Sequence, residues 1–321
     1  MKYNSLGKTE LVVSRICLGT MTFGWTSDER TSLAILDHAY EAGINFLDTA
    51  DIYSSWAEGH KGGESETIIG RWLKEKPREK VILATKVRGR MWQGDDGEGL
   101  SAPHITRAIE GSLRRLQTDY VDLYQTHWPD EHTAQEETAI ALDALVRAGK
   151  VRFLGCSNYT AQYLQSANEL CEQRGLARFD TLQPNYSLLK RKEYEEELAE
   201  YCVTENIGVI PYSPLAAGFL TGKYTRKNPQ PDSTRQTSKL IQSLKDAEAA
   251  YVVLDALREI AHECNAPVSQ IALAWLLARP QIDSAIIGAR TIEQLEQNLG
   301  ATEVTLSDAA LTQLNALSQS F

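Results

Sequence analysis

The chain has 321 residues, 42% of them hydrophobic, and its 43 acidic against 33 basic side chains give a formal charge of −10. A surface that acidic repels phosphate backbones and anionic headgroups, which argues against nucleic acid or a membrane as partner, and no run approaches the roughly 18 apolar residues of a membrane span. The five cysteines are odd in number and never spaced C-x-x-C, so free thiols in a reducing cytoplasm are expected rather than a disulfide frame or a zinc site.

The opening MKYNSLGKTE lacks the apolar core of a secretion signal. KYNSLGKTELVVSRI (2–16) sets a Leu-Gly-Lys turn between two short strand-like pieces and predicts a hairpin. Eight apolar runs follow: RICLGT (15–20), INFLDTA (44–50), VILATKV (81–87), VDLYQTH (121–127), RFLGCSN (152–158), DTLQPNY (180–186), IGVIPYSP (207–214) and DSAIIGA (283–289). They are rich in Val, Ile, Leu and Phe without strict alternation, as strands covered on both faces are. Amphipathic stretches separate them. DERTSLAILDHAYEAG (28–43) and QEETAIALDALVRAGK (135–150) each carry acids in the first turn and a glycine at the end. Regular strand–helix alternation implies right-handed crossovers and a parallel sheet. With eight units and no linker, the expected fold is a single (β/α)8 TIM barrel over residues 1–321, its bottom crossed by the hairpin. Residues 215–245 read as a long polar loop, and SDAALTQLNALS (307–318) as an extra C-terminal helix.

In such a barrel the chemistry sits where the strands end. The second run ends at Asp48 and leads to Tyr53, the third ends at Lys86 and the fourth at His127. Each alone has an ordinary structural explanation: a helix cap, a packing aromatic, a snorkelling lysine, a satisfied histidine. Together on successive strands, about 4.8 Å apart, they predict a cluster. A lysine in VILATKV needs a partner, and Asp48 is the neighbour. Lys86 is expected to lower the pKa of Tyr53 and make it a general acid, while His127 orients a carbonyl oxygen. The set lacks metal-ligand clustering, so no metal is expected, and it lacks an activated nucleophile. There is no G-x-G-x-x-G; the glycines of GDDGEG (94–99) are in the wrong order, so a nicotinamide cofactor would bind without that fingerprint.

GINFLDTADIY (43–53), LATKV (83–87), DLYQTHWPD (122–130), GKVRFLGCSNY (149–159), QPNYSLL (183–189), PYSPLAAGFLTGKY (211–224) and AIIGARTIEQLEQN (285–298) resemble, in order, motifs of the aldo-keto reductase family. The likeness is to its bacterial general-stress branch, itself similar to β subunits of voltage-gated potassium channels. It implies NADPH-dependent reduction of a small-molecule aldehyde or ketone, with Asp48, Tyr53, Lys86 and His127 as the catalytic tetrad. It further implies that Ser157, Asn158 and Gln183 hold the nicotinamide carboxamide, with Tyr212 on the ring and Asp48 on the same side. Ser213, Leu215, Ala217, Gly218 and Lys223 would follow the pyrophosphate. Gly288, Arg290, Gln294, Gln297 and Asn298 would hold the adenosine end, and Gly19, Thr20 and Met21 would line the first loop. The alternative that the channel likeness allows is an NADPH-binding, redox-sensing regulatory subunit with little turnover.

Several expectations come from the residues themselves. KYTRKNPQPDSTRQTSK (223–239) holds Lys223, Arg226, Lys227, Arg235 and Lys239 against Asp232, a net-positive loop suited to phosphate. Among the loop aromatics Phe23, Trp25, Tyr53, Trp56, Trp92 and Trp128, the substrate pocket is assigned to Trp25 and Trp128 beside Tyr53 and His127. RGRMWQGDDGEGLS (88–101) is an insertion with the character of a mobile flap. His60, His104 and His132 read as surface residues. Nothing in the sequence sets the oligomeric state.

Overall fold

The computed structural model describes residues 1–233 and 238–321. A hairpin of β1 (Tyr3–Ser5) and β2 (Val12–Ser14) leads into β3 (Ile16–Gly19), β4 (Phe46–Asp48), β5 (Ile82–Val87), β6 (Val121–Thr126), β7 (Val151–Ser157), β8 (Phe179–Gln183), β9 (Gly208–Val209) and β10 (Ala285–Gly288). The last eight form one parallel sheet in the order β10-β3-β4-β5-β6-β7-β8-β9. Its two edges meet where Asp283 N donates to Val209 O and Ile286 N to Pro211 O, both at 3.0 Å. The sheet thereby curls into a (β/α)8 TIM barrel.

Helices α1 (Glu29–Glu41), α2 (Glu64–Leu73), α3 (Ala102–Leu116), α4 (Gln135–Arg147), α5 (Ala161–Arg174), α6 (Ala199–Thr204), α7 (Lys239–Leu244), α8 (Glu248–Glu263), α9 (Val268–Leu277), α10 (Ile292–Leu299) and α11 (Asp308–Leu317) accompany the strands. Their ends follow local chemistry. Asp28 caps α1 by accepting from Thr31 N at 2.8 Å. Ser32, Ile35, Leu36 and Ala39, on one stripe, turn that helix to the core. Ser307 caps α11 in the same way.

Strand alternation divides the core in two. Cys17, Phe46, Ile82, Ala84, Leu123, Ile210 and Ile286 cluster inside the barrel with Leu6, Leu11 and Val13 of the hairpin, which plugs the bottom. The alternate residues Leu18, Leu47, Leu83 and Leu154 pack outward against the helices. The hairpin approaches closely: a β-carbon on Gly7, at φ +54°, would lie 2.4 Å from Gly208 N.

Two segments depart from expectation. The stretch 215–245 is not a plain loop, since it contains a 3-10 helix at Ala216–Thr221 and α7. The insertion at 88–101 is tied down rather than hanging free. Gly99 N donates to Arg88 O at 3.0 Å and Met91 N to Gly97 O at 2.9 Å. Trp92 packs at 4.8 Å on His104 and lies under the Arg107 guanidinium at 4.1 Å. His104 is fully buried, joined through Nδ1 to Asp96 O. It is a structural residue of this loop rather than a surface histidine. Among the described residues no helix is long and apolar enough to cross a membrane.

Candidate active site

Asp48 and Lys86 continue the inward-facing rows of β4 and β5, after Phe46 and after Ile82 and Ala84. Lys86 pairs in register with Gln125 of β6, and Ser157 of β7 with Gln183 of β8. The polar residues therefore form the top layer of the barrel, above an apolar filling. Lys86 Nζ donates to Asp48 Oδ1 at 2.5 Å, to Thr49 O at 2.8 Å and to Tyr53 OH at 2.9 Å. The other Asp48 oxygen accepts from Gln125 Nε2 at 3.0 Å and Gln183 Nε2 at 2.9 Å. Every donor of the ammonium is used, and both oxygens of the carboxylate are bonded. His127 faces Tyr53 with ring centres 5.9 Å apart, and its Nδ1 is buried without a partner.

Electrostatics set the protonation states. Burial pulls the Lys86 ammonium toward its neutral form, but Asp48 and Tyr53 outweigh burial and its pKa ends above the ordinary value. Burial also raises the Tyr53 phenol; Lys86 opposes this and Asp48 reinforces it, so the net direction is upward. The expected net lowering is thus reversed, because the cost of burying a phenolate exceeds the pull of Lys86. His127 is pushed well below its usual value by burial, then by Lys86 and Arg88, and stands as a neutral imidazole.

The residues expected to hold the nicotinamide form a second connected group. Ser157 Oγ donates to Gln183 O at 2.8 Å. Asn158, at φ +59°, donates through Nδ2 to His127 O and Ser157 Oγ, both at 3.0 Å, and accepts from Tyr212 OH at 2.7 Å. Amide groups and an aromatic ring so arranged fit a planar carboxamide-bearing ring. Beyond them Ser213, Ala216, Ala217 and Gly218 take positive φ, a conformation that costs the alanines roughly 1 kcal/mol each; Leu215 precedes the pair. Such a turn suits an anion. Lys223 lies beside Gly218 and bonds Ser233 Oγ at 3.0 Å. Burial lowers its pKa, and the nearby Arg290 lowers it further. Two cations forced together fit a phosphate. Arg290 follows β10 at the start of α10, which Thr291 caps, and its N–H is held by Gln294 Oε1 at 3.0 Å. Among the described residues it makes no salt bridge. Glu296 pairs instead with His38, and Glu293 is held by the first turn of its own helix.

Other assignments divide. Asn298 Nδ2 reaches Gly288 O at 3.5 Å, whereas Gln297 turns to Ser269 Oγ at 2.9 Å. Gly19 pairs with Asp48 in register, Thr20 Oγ1 donates to Asp48 O at 3.0 Å, and Met21 is half-buried in the loop that follows. Arg226 is engaged by Glu248 and Asp255 of α8. Lys227 and Lys239 are exposed, and Arg235 lies outside the described residues. Trp128 packs on His127 at 4.3 Å. Trp25 and Tyr53 both meet Trp56 edge-on. Phe23 is buried, and Trp92 belongs to the insertion. Sequence reasoning missed Gln125, whose signal was a polar side chain on an inward position of an apolar strand. It also missed Arg88.

Residues 15–319 match the model of the aldo/keto reductase family. The chain is similar to the oxidoreductase YrpG of Bacillus subtilis (strain 168), at 40% identity over 98% of this chain and 95% of that protein. It is 36% identical to protein tas of Escherichia coli (strain K12), over 99% and 98%. It is 32% identical to the probable voltage-gated potassium channel subunit beta of Oryza sativa subsp. japonica, over 100% and 97%.

Proposed function

The chain belongs to the aldo/keto reductase family, and from that premise we propose that it is an NADPH-dependent oxidoreductase reducing aldehyde and ketone carbonyls to alcohols, with residues 1–321 as one catalytic domain. The proposed compartment is the cytoplasm, whose reducing conditions suit five free cysteines. The observation that carries the reading is the buried contact of Lys86 Nζ with Asp48 and Tyr53 OH.

NADPH, when bound, supplies the hydride. Asn158, Gln183 and Ser157 would hold its carboxamide and Tyr212 its ring face, while the turn at 213–218, Lys223 and Arg290 would take its phosphates. The chain's own part is to bind and protonate the carbonyl oxygen. A neutral His127 donates an N–H to that oxygen and orients it. As negative charge develops there, Tyr53 gives up its phenolic proton, and the new phenolate stands 2.9 Å from the Lys86 ammonium. Asp48 keeps that ammonium in place. Trp25, Trp56 and Trp128 would give the carbonyl an apolar approach.

The test is NADPH oxidation, followed by its near-ultraviolet absorbance, across a panel of aldehydes, ketones and sugars. Turnover of at least one aldehyde is expected. Tight NADPH binding with no turnover across the panel would instead favour a regulatory subunit, the role that the name of the rice relative states for that protein.

A further inference from the structure

β5 ends at Val87, and Arg88 turns the chain with a φ of +131°. A β-carbon disfavours that region, so something must hold the residue there. The insertion does so: Gly99 N closes back on Arg88 O, and the packing of Trp92 on His104 and Arg107 anchors the far side. The result presents a guanidinium at the lip of the catalytic face. Its central carbon lies 5.3 Å from the centre of the Trp128 ring, and Trp128 packs on His127. The charge is felt by His127, whose imidazole it helps keep neutral.

The Arg88 side chain is incompletely bonded among the described residues. Among the described residues it makes no salt bridge, and its Nε is buried with no hydrogen-bond acceptor. The carboxylate in range, Asp130, is already engaged. It accepts from Leu100 N and Thr133 Oγ1, both at 2.8 Å, and from His132 N at 3.1 Å. A buried N–H left open is costly unless a ligand completes it. A guanidinium lying over an aromatic face is poised to hold a planar anion with two parallel bonds.

We infer that Arg88 is a specificity-determining residue that receives a carboxylate carried by the carbonyl substrate, so that the preferred substrates are aldehydes or ketones of carboxylic acids. The inference rests on the carbonyl-reductase reading. The insertion's role is then to fix this arginine, not to open and close.

The test compares kcat/KM for 3- and 4-formylbenzoate with that for the isosteric neutral amides, in the parent, Arg88→Gly and Arg88→Lys proteins. Glycine suits the positive φ and removes only the side chain. The acid-to-amide ratio is read within each protein, so a misfolded fraction cancels. The parent should favour the acids, and Arg88→Gly should lower the ratio by about 10–100-fold, chiefly through KM, as expected for a lost charged hydrogen bond. Arg88→Lys should restore part of the preference. An unchanged ratio in Arg88→Gly, or equal losses on acid and amide, would overturn the assignment and leave Arg88 as a support for Trp128. Reduction of the amides alone, at a good rate in all three proteins, would also overturn it while upholding the reductase reading. No NADPH oxidation with any of these aldehydes in the parent would count against both.

Discussion

Burial sets the ionisation of Tyr53 and His127, with Lys86 acting second on both, and the charge of Lys86 is itself secured by Asp48 at 2.5 Å. With the phenol of Tyr53 raised by burial and the imidazole of His127 depressed, both are in their working forms at neutral pH. The sign of the pH dependence follows. A depressed histidine has already lost its proton well below its usual value of about 6.5, so it adds no limb near neutrality. A raised tyrosine keeps its proton past about 10. The kcat/KM for aldehyde reduction should therefore be level from about pH 6 to 9 and fall only in strong alkali. A limb centred near 6.5 that vanishes in His127→Asn would contradict the neutral imidazole. At the cofactor's other end, the 2′-phosphate separates NADPH from NADH. On the proposed reading Arg290, with no salt bridge among the described residues and Lys223 close by, would hold it. Arg290→Ala should weaken NADPH binding by about 1.5–3 kcal/mol and leave NADH nearly unaffected, measured by quenching of tryptophan fluorescence. Equal weakening of both would remove Arg290 from that role.

Among the elements, β9 is the weak one. It has two residues, and its seam to β10 depends on Asp283. Oδ2 of that carboxylate accepts from Val209 N at 3.0 Å and Gly7 N at 3.3 Å, tying the hairpin, β9 and the approach to β10 together. Burial raises its pKa from 3.8 to about 6, against the pull of the two amides and Arg15. A carboxyl raised in the fold binds its proton more tightly there than in the unfolded chain. Its contribution is fully present below 3.8 and is lost as pH rises through about 6. Asp283→Asn mimics the protonated form. Unfolding in urea at about pH 4 and pH 7, either side of the isoelectric point, should show the variant gaining on the parent by roughly 1–3 kcal/mol between the two. A difference that stays constant with pH would show that Asp283 ionises normally in this joint.

For the whole molecule, the barrel was readable because both of its apolar layers leave a mark: eight runs too apolar for one-sided strands, spaced by amphipathic helices. Asp48, Lys86 and His127 stood out as polar residues closing those runs. What the sequence hid was anything decided by three-dimensional balance. The direction of the Tyr53 shift depends on the cost of burying its phenolate, which outweighs the pull of Lys86. His104 looked like a surface residue because its neighbours Trp92 and Arg107 come from a loop and a later helical turn. Arg88 was one charge within the insertion, and its lack of a salt bridge among the described residues is decided only in the fold. The turn at 216–221 reads as loop because its left-handed alanines contradict local preference.

The central claim is that a buried Lys86–Asp48 pair makes Tyr53 the proton donor of a hydride-transfer reductase. It is tested most directly by single-turnover oxidation of bound NADPH with a reactive aldehyde, in the parent and in Tyr53→Phe. That change removes one hydroxyl and nothing else. NADPH should bind both proteins alike, and the rate of oxidation should fall by about 10²–10⁴-fold in the variant. A variant that oxidises NADPH at near the parent rate would contradict the account.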